Sequence, residues 1–513
     1  MKADIVLQST AIFTGLSEHP ISGCIAMKGN TILAVNKTDG SEYIDCHTKV
    51  LDLGDRLVCP GFTDVHCFFN GYLLSIAGID LEHCETEAEL LETLNTYKSK
   101  QSEDATIIGR GVNSNFSNLS CEFLDKTFGM VPVILFHKDS ESCFMNTAAI
   151  NTYHFTSESC YSESYWRLLK YVLNDTKFSA PAFKNYLKFM NSRGITSIKE
   201  MGFDDFWGFT EILDQLEKNK ELTVRVSFMS QPVGMPMNLD YGRNMRERFT
   251  GNYVHFSGYN QMTDGSISQL EGEMKEPYLC KDTCCVKEIN WSTLEQDTLA
   301  ADNEAFRFSL HAQGDRAIEK VIDIYEKCQK NEDGTLKNRH AITDLECSDP
   351  KDLERMGQLG IIAEIYPQIM SIANRNDKLS MIQDKIGMDR GKNYWNRRKM
   401  ADSNITISCG TDLPLLFDDI PESIYHTVGA RFPEGGEPYN AENTLLLHEL
   451  LRAWSFGGQY NLGFEDCLGT LEAGKLADIA VFSHNLFTTS LEEIREAKVC
   501  LTLVDGNVVY NNM

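Results

Sequence analysis

The sequence predicts an α/β protein, a (β/α)8 TIM barrel with a small β-sandwich formed by both termini and an inserted subdomain after barrel strand one. Three observations carry that expectation. Eight short apolar runs recur through the middle of the chain, with helical patterns between several of them. Both ends of the chain read as short strands punctuated by turns. The interval between the first two apolar runs is too long for a loop.

The termini come first. ADIVLQSTAIFTG, GCIAMKGNTILAV and KVLDLGDRLVCPG are apolar runs bounded by Gly, Asn and Asp, and Gly29-Asn30 marks a hairpin. The tail repeats the pattern in LADIAVFSHN and VCLTLVDGNVVYNN, with a turn at Asp505-Gly506. Residues 1–58 and 466–513 are therefore expected to form one composite sandwich, and 59–465 the barrel. The eight barrel runs are 57–66, 194–201, 224–230, 253–262, 306–312, 340–346, 360–367 and 405–412. After the fifth run, Ile318, Val321, Ile322 and Tyr325 lie on one helix face. Asp349-Pro350 opens another helix as N-cap and first residue, and Gly360 ends it. Residues from about 69 to 190 carry their own helical pattern (ETEAELLETLNTYKSK) and strands (ATIIGRG, VPVILFH). They are read as a subdomain inserted over the barrel mouth.

Composition narrows the function. The 513 residues carry a net charge of −26, which argues against nucleic-acid binding, since that needs a basic face. No apolar run approaches the roughly 18 residues of a membrane span, and the first residues lack a secretion signal. Sixteen scattered cysteines point to reduced thiols in a cytoplasm. The cluster Cys280, Cys284 and Cys285 matches no common zinc spacing and reads as a cysteine-rich loop.

Barrel chemistry sits at the C-terminal ends of the strands. That rule selects Asp64 and His66 on strand one, Lys199 on strand two, and Asn260 and Asp264 at the end of strand four. It also selects His311 on strand five, Asp344 on strand six and Asp412 on strand eight. Taken singly, such a histidine is more often structural and such an aspartate more often a helix cap. Together, two imidazoles and several carboxylates suit one divalent ion, zinc first. Asp64 shares a strand face with His66 and is expected to act as its outer partner. Lys199 faces the same mouth in this reading, although a solvated or salt-bridged lysine is the commoner outcome. Arg316 reads equally as a substrate-carboxylate clamp and as a structural ion pair.

The motifs also carry a resemblance. PGFTDVHCF (60–68), TDGSIS (263–268), HAQGDRAI (311–318), RHAITDLE (339–346), SCGTDLPL (408–415) and LGTLEAGKLADIAVF (468–482) occur in this order. They resemble those of the amidohydrolase superfamily, in its YtcJ-like, amidohydrolase-3 branch, which includes N-substituted formamide deformylase. The resemblance implies a metal-assisted hydrolase of non-peptide C–N bonds (amide, formamide or cyclic amide) acting on a small molecule, and a homodimer. It also exposes departures. Phe68 stands where the family has a second strand-one imidazole, Asn260 at the bridging lysine, Asp344 at the strand-six histidine and Glu141 at a pocket histidine. What remains is a mononuclear site of His66, His311 and Asp412, with or without Asp344, or no metal at all. In the hydrolase reading Asp412 is ligand and general base, and His311 is ligand or oxyanion stabiliser. Arg316, Asn260, Glu141, Phe68 and Lys199 line the substrate. Two alternatives stay open: a metal-independent isomerase or lyase on the same barrel, and a non-catalytic small-molecule-binding homologue. Phe68, two residues after His66, is expected to face the mouth.

Overall fold

The structure is a computed structural model. It describes all residues except 103–104, 114–115, 117, 139–141, 156–160, 205–207 and 233–234, and the side chains of 161–166. The chain divides into two compact units. One comprises Met1–Phe68, Lys184–Asp204 and Leu213–Met513; the other comprises Phe69–Phe183 and Asp205–Ile212.

The first unit contains the barrel. Its strands are Phe62–Cys67, Ile195–Glu200, Arg225–Ser230, Val254–Met262, Phe308–Ala312, Ala341–Asp344, Ile362–Ile365 and Ile407–Cys409. They pair in parallel in that order, and a Cys67–Leu413 bridge joins the last to the first. Each of the eight apolar runs holds one strand. The first run divides at Gly61: Leu57–Pro60 joins the outer sheet and Phe62–Cys67 enters the barrel. A Cβ on Gly61 would lie 2.4 Å from Thr196 Oγ1, so strands one and two can approach here only because the residue has no side chain. The two helices expected from periodicity are present. Asp315–Tyr325 buries Ile318, Val321, Ile322 and Tyr325. Pro350–Leu359 is capped by Asp349 and ends at Gly360 with φ 68°.

The outer sheet has eight strands drawn from both ends of the chain, including Ile5–Ile12, Ile21–Lys28, Ile479–Phe482 and Val499–Val504. Alternation feeds its two faces. Leu7, Ile25, Met27, Ile479 and Leu501 enter one apolar cluster, while Val6, Cys24 and Ala26 enter another. The turns fall where expected, at Gly29-Asn30 and Asp505-Gly506.

The second unit has its own four-stranded sheet, in the order Cys143–Met145, Val133–His137, Ile107–Val112, Ile79–Asp80. Its helix Glu87–Lys98 opens with a capping box in which Thr86 and Glu89 satisfy each other's backbone N–H. Leu81, Leu90, Leu94, Leu124 and Leu135 fill its core.

Candidate active site at the barrel mouth

Four side chains meet at the C-terminal ends of the strands as two imidazole–carboxylate pairs. His66 Nε2 lies 3.6 Å from Asp412 Oδ1. His311 Nε2 lies 3.2 Å from Asp344 Oδ2. Asp412 is held in place by its own backbone, whose N–H donates to the His66 carbonyl at 2.8 Å. Asp344 and Asp412 both sit in the left-handed region, with φ 81° and 52°. Non-glycine residues there are strained, and such strain collects at functional sites. Gln313 Nε2 donates to Asp344 Oδ2 at 2.7 Å and holds that carboxylate against His311.

Behind each imidazole stands a buried carboxylate. His66 Nδ1 is 3.8 Å from Glu364 Oε2, and His311 Nδ1 is 3.9 Å from Asp264 Oδ1. Both Nδ1 atoms are buried with no hydrogen-bond partner. The His66 ring also packs edge-on against Phe68 and Tyr366, each with centroids 5.4 Å away.

Electrostatics follow from this crowding. Burial pushes the Asp412 carboxyl up to about 6, with His66 pulling it down and Asp344 pushing it up. Burial alone would lower His311, but Asp344, Asp264 and Asp412 outweigh it and raise the imidazole above its ordinary value. Burial would raise Glu364, but Lys199, His66 and Arg307 hold it well below the carboxylate range. Asp264 is raised by burial, although it accepts three backbone N–H bonds.

The arrangement has the donor chemistry of a divalent-ion site: two imidazoles, two mouth carboxylates, and a carboxylate behind each ring. Among the described residues, the three side chains whose ligand atoms all lie within 4.8 Å of one another are elsewhere, at Asp302, Cys328 and His340. Those three are already satisfied. His340 Nδ1 accepts from Phe308 N at 3.0 Å, so Nε2 carries the proton and donates to Asp302 Oδ1 at 3.0 Å. No imidazole lone pair is left for an ion there. In the mouth the donors stand in twos: His66 Nε2 lies 3.6 Å from Asp412 Oδ1, beyond a hydrogen bond, while His311 Nε2 is hydrogen-bonded to Asp344 Oδ2 at 3.2 Å, through a proton that an ion would displace.

The model of the Amidohydrolase family matches residues 49–510. The chain belongs to this family. Membership makes it a hydrolase, and its full-length relatives agree on the extent of the likeness. It is 21% identical to "Protein LONG AFTER FAR-RED 3" of Arabidopsis thaliana, over 99% of this chain and 92% of the relative. It is 20% identical to "Putative amidohydrolase YtcJ" of Bacillus subtilis, over 97% and 98%. Among solved structures, an uncharacterized metal-dependent hydrolase from Pyrococcus furiosus superposes with a TM-score of 0.74 at 19% identity. That match covers 93% of this chain and 98% of the other. At that identity the likeness is one of fold.

Within this amidohydrolase, the residues expected from the sequence fall unevenly. His66, His311, Asp344 and Asp412 come together at the mouth, and Phe68 stands beside His66. Asp264 lies behind His311. Asp64 differs from expectation: its carboxylate accepts Thr411 Oγ1 at 2.6 Å, Thr411 N at 3.1 Å and His66 N at 3.2 Å. It anchors the strand-eight loop to strand one and does not touch the imidazole. Lys199 is fully buried inside the barrel, paired with Glu364 and with Asn461 Oδ1 at 3.0 Å, not open at the mouth. The strand-two face it occupies points to the barrel axis, where only a paired ammonium is tolerated. Arg316 is 48% exposed and pairs with Glu319 at i, i+3, the structural reading rather than the clamp. Asn260 donates to Gln231 Oε1 at 3.0 Å, and its own Oδ1 is buried without a partner. Glu141 lies outside the described residues. In the cysteine cluster, Cys285 Sγ donates to Glu271 O at 3.0 Å and Cys280 is exposed, as in an ordinary loop.

Glu364, Gln313 and Tyr366 were missed. Glu364 left a signal: a single carboxylate inside the apolar run GIIAEIYP is tolerable only if it finds charged partners.

Proposed function

We propose that this amidohydrolase cleaves a non-peptide C–N bond, in an amide, formamide or cyclic amide of small size, with one divalent ion. The observation that carries the reading is the pairing of each mouth imidazole with a mouth carboxylate, its Nδ1 aimed at a buried one. His66, His311, Asp344 and Asp412 are the residues that would hold the ion, with zinc as the first candidate. A bound divalent ion lowers the pKa of water and polarises a carbonyl. Asp412 is the proton carrier. Its carboxylate takes a proton from the attacking water and passes it to the departing nitrogen. Asp412 is also 25% exposed, so it can meet a substrate. His311 is a ligand to that ion; with the ion held by the other residues, its imidazole, charged more readily than an ordinary one, would instead stabilise the oxyanion. Phe68 and Tyr366 exclude water from the His66 side and narrow the pocket.

The reading also takes in a homodimer and a cytoplasmic setting. All the described cysteines are free thiols, as a reducing compartment requires. Among the described residues no helix is long and apolar enough to cross a membrane.

The test is turnover of a panel of N-acyl amines, N-formyl amines and cyclic amides by chelator-treated protein, before and after adding Zn²⁺, Mn²⁺ or Fe²⁺. Hydrolysis that appears only with metal is expected. Metal-independent turnover with solvent deuterium entering an unhydrolysed product would replace the proposal with a proton-transfer reaction.

A further inference from the structure

We infer that Glu364 is a positioning residue that fixes His66 as the tautomer with its proton on Nδ1, leaving the Nε2 lone pair open to the mouth. Two carboxylates compete for the one proton of a neutral His66. Asp412 faces Nε2 at 3.6 Å, and Glu364 faces Nδ1 at 3.8 Å. The distances are nearly equal, but the surroundings are not. Asp412 is a quarter exposed and screened by water, while Glu364 is fully buried. Lys199 and Arg307 neutralise Glu364 at Oε1, but neither of these two cations is paired with Oε2, the oxygen that faces His66, and its charge acts through the low-dielectric interior. Nothing else takes up His66 Nδ1, which is buried and without a hydrogen-bond partner. A lone pair turned toward a buried carboxylate is repelled by it, whereas an N–H is attracted.

The partners of Glu364 divide cleanly between its two oxygens. Oε1 accepts from Lys199 Nζ, from Asn461 Nδ2 at 2.9 Å and from Ser309 Oγ at 3.1 Å, with Arg307 at 3.9 Å. Oε2 accepts from Thr343 Oγ1 at 2.7 Å and faces His66. This division makes Glu364→Gln informative. The Lys199 ammonium can only donate, so the new carbonyl must occupy the Oε1 position. The new NH2 then occupies the Oε2 position and donates toward His66 Nδ1. That nitrogen must become an acceptor, and the proton moves to Nε2, closing the lone pair that the mouth uses.

The inference rests on the proposed function only in taking Nε2 as the working nitrogen of His66. Its test needs neither substrate nor metal. Histidine labelled with 15N at both ring nitrogens is read by long-range 1H–15N correlation in metal-free protein, at a pH where the ring is neutral, with His66→Gln supplying the assignment. In wild type the expected His66 pattern is a protonated Nδ1 and an unprotonated Nε2. In Glu364→Gln the two nitrogen signals exchange character. His311, backed by Asp264 instead, stays unchanged throughout and reports that the barrel remains folded. Zn²⁺ affinity should fall about 10-fold or more in Glu364→Gln, the usual cost of losing such a partner. A wild-type His66 with its proton on Nε2 would overturn the inference without any variant. So would an unchanged tautomer in a folded Glu364→Gln. A correct tautomer pattern in a protein that hydrolyses nothing would overturn the proposed function and leave this inference standing.

Discussion

The two halves of the mouth share a geometry and differ in what neutralises it. Each half has an imidazole, a carboxylate in front and a buried carboxylate behind, at nearly equal distances. Behind His66, Glu364 is balanced by a lysine from the opposite side of the barrel. Behind His311, Asp264 is balanced by the backbone N–H groups of Glu273, Gln313 and Gly314, each at 2.9 Å, the last two leading into the helix Asp315–Tyr325. The Lys199 ammonium, with His66 and Arg307, holds Glu364 well below the carboxylate range, while burial raises Asp264 above its ordinary value in spite of three amide dipoles. A full charge and a set of dipoles therefore give similar shapes opposite proton affinities.

The largest expected effect breaks the stronger half. Lys199→Met leaves the buried Glu364 with only the Arg307 guanidinium, 3.9 Å away, and should cost about 3–5 kcal/mol in a urea unfolding titration. The corresponding change on the other side, Asp264→Asn, keeps one carbonyl acceptor and should cost only about 1–3 kcal/mol. Equal losses would show that the lysine does no more than the amides.

A smaller effect tests what Phe68 does to the His66 half. Phe68→His adds an imidazole beside His66 and should raise Zn²⁺ affinity by about tenfold, near 1.4 kcal/mol, in a calorimetric titration. Wild type and variant binding alike would place Phe68 outside the ligand shell. The pH dependence offers another check. Burial raises the Asp64 carboxyl to about 6, so native protein holds this proton more tightly than unfolded chain does. The stability it contributes is present below about pH 4 and lost as pH rises through about 6. Asp64→Asn should flatten that part of the stability–pH curve; an unaltered slope would mean that Asp64 is ionised throughout.

The smallest effect belongs to Arg316. With its guanidinium half-exposed and paired one helical turn away, Arg316→Ala should change stability by less than about 0.5 kcal/mol and leave substrate KM unmoved. A large rise in KM would restore it as a substrate clamp.

Much of this arrangement was legible in the sequence because strand ends are local features. Period and punctuation gave all eight strands, and the rule that chemistry sits at their C-terminal ends then brought His66, His311, Asp344 and Asp412 together. The caps Asp349 and Gly360 were readable for the same local reason. Lys199 and Glu364 were not readable as a pair. They are 165 residues apart and meet only because strands two and seven face each other across the barrel. Asp64 was read on the correct strand with the wrong partner. Alternation sets the face a side chain occupies, but the free N–H and hydroxyl of Thr411 decide where its carboxylate goes. Arg316 was ambiguous in the sequence because a helix surface offers the same residue an ion pair three positions on.

The central claim is that both halves of the mouth hold one ion together. Zn²⁺ titrated calorimetrically into chelator-treated wild type, His66→Ala and His311→Ala tests it most directly. The account predicts one equivalent bound by wild type and loss of that binding in either variant. No binding by wild type, or an equivalent retained when one of the two histidines is removed, would contradict it.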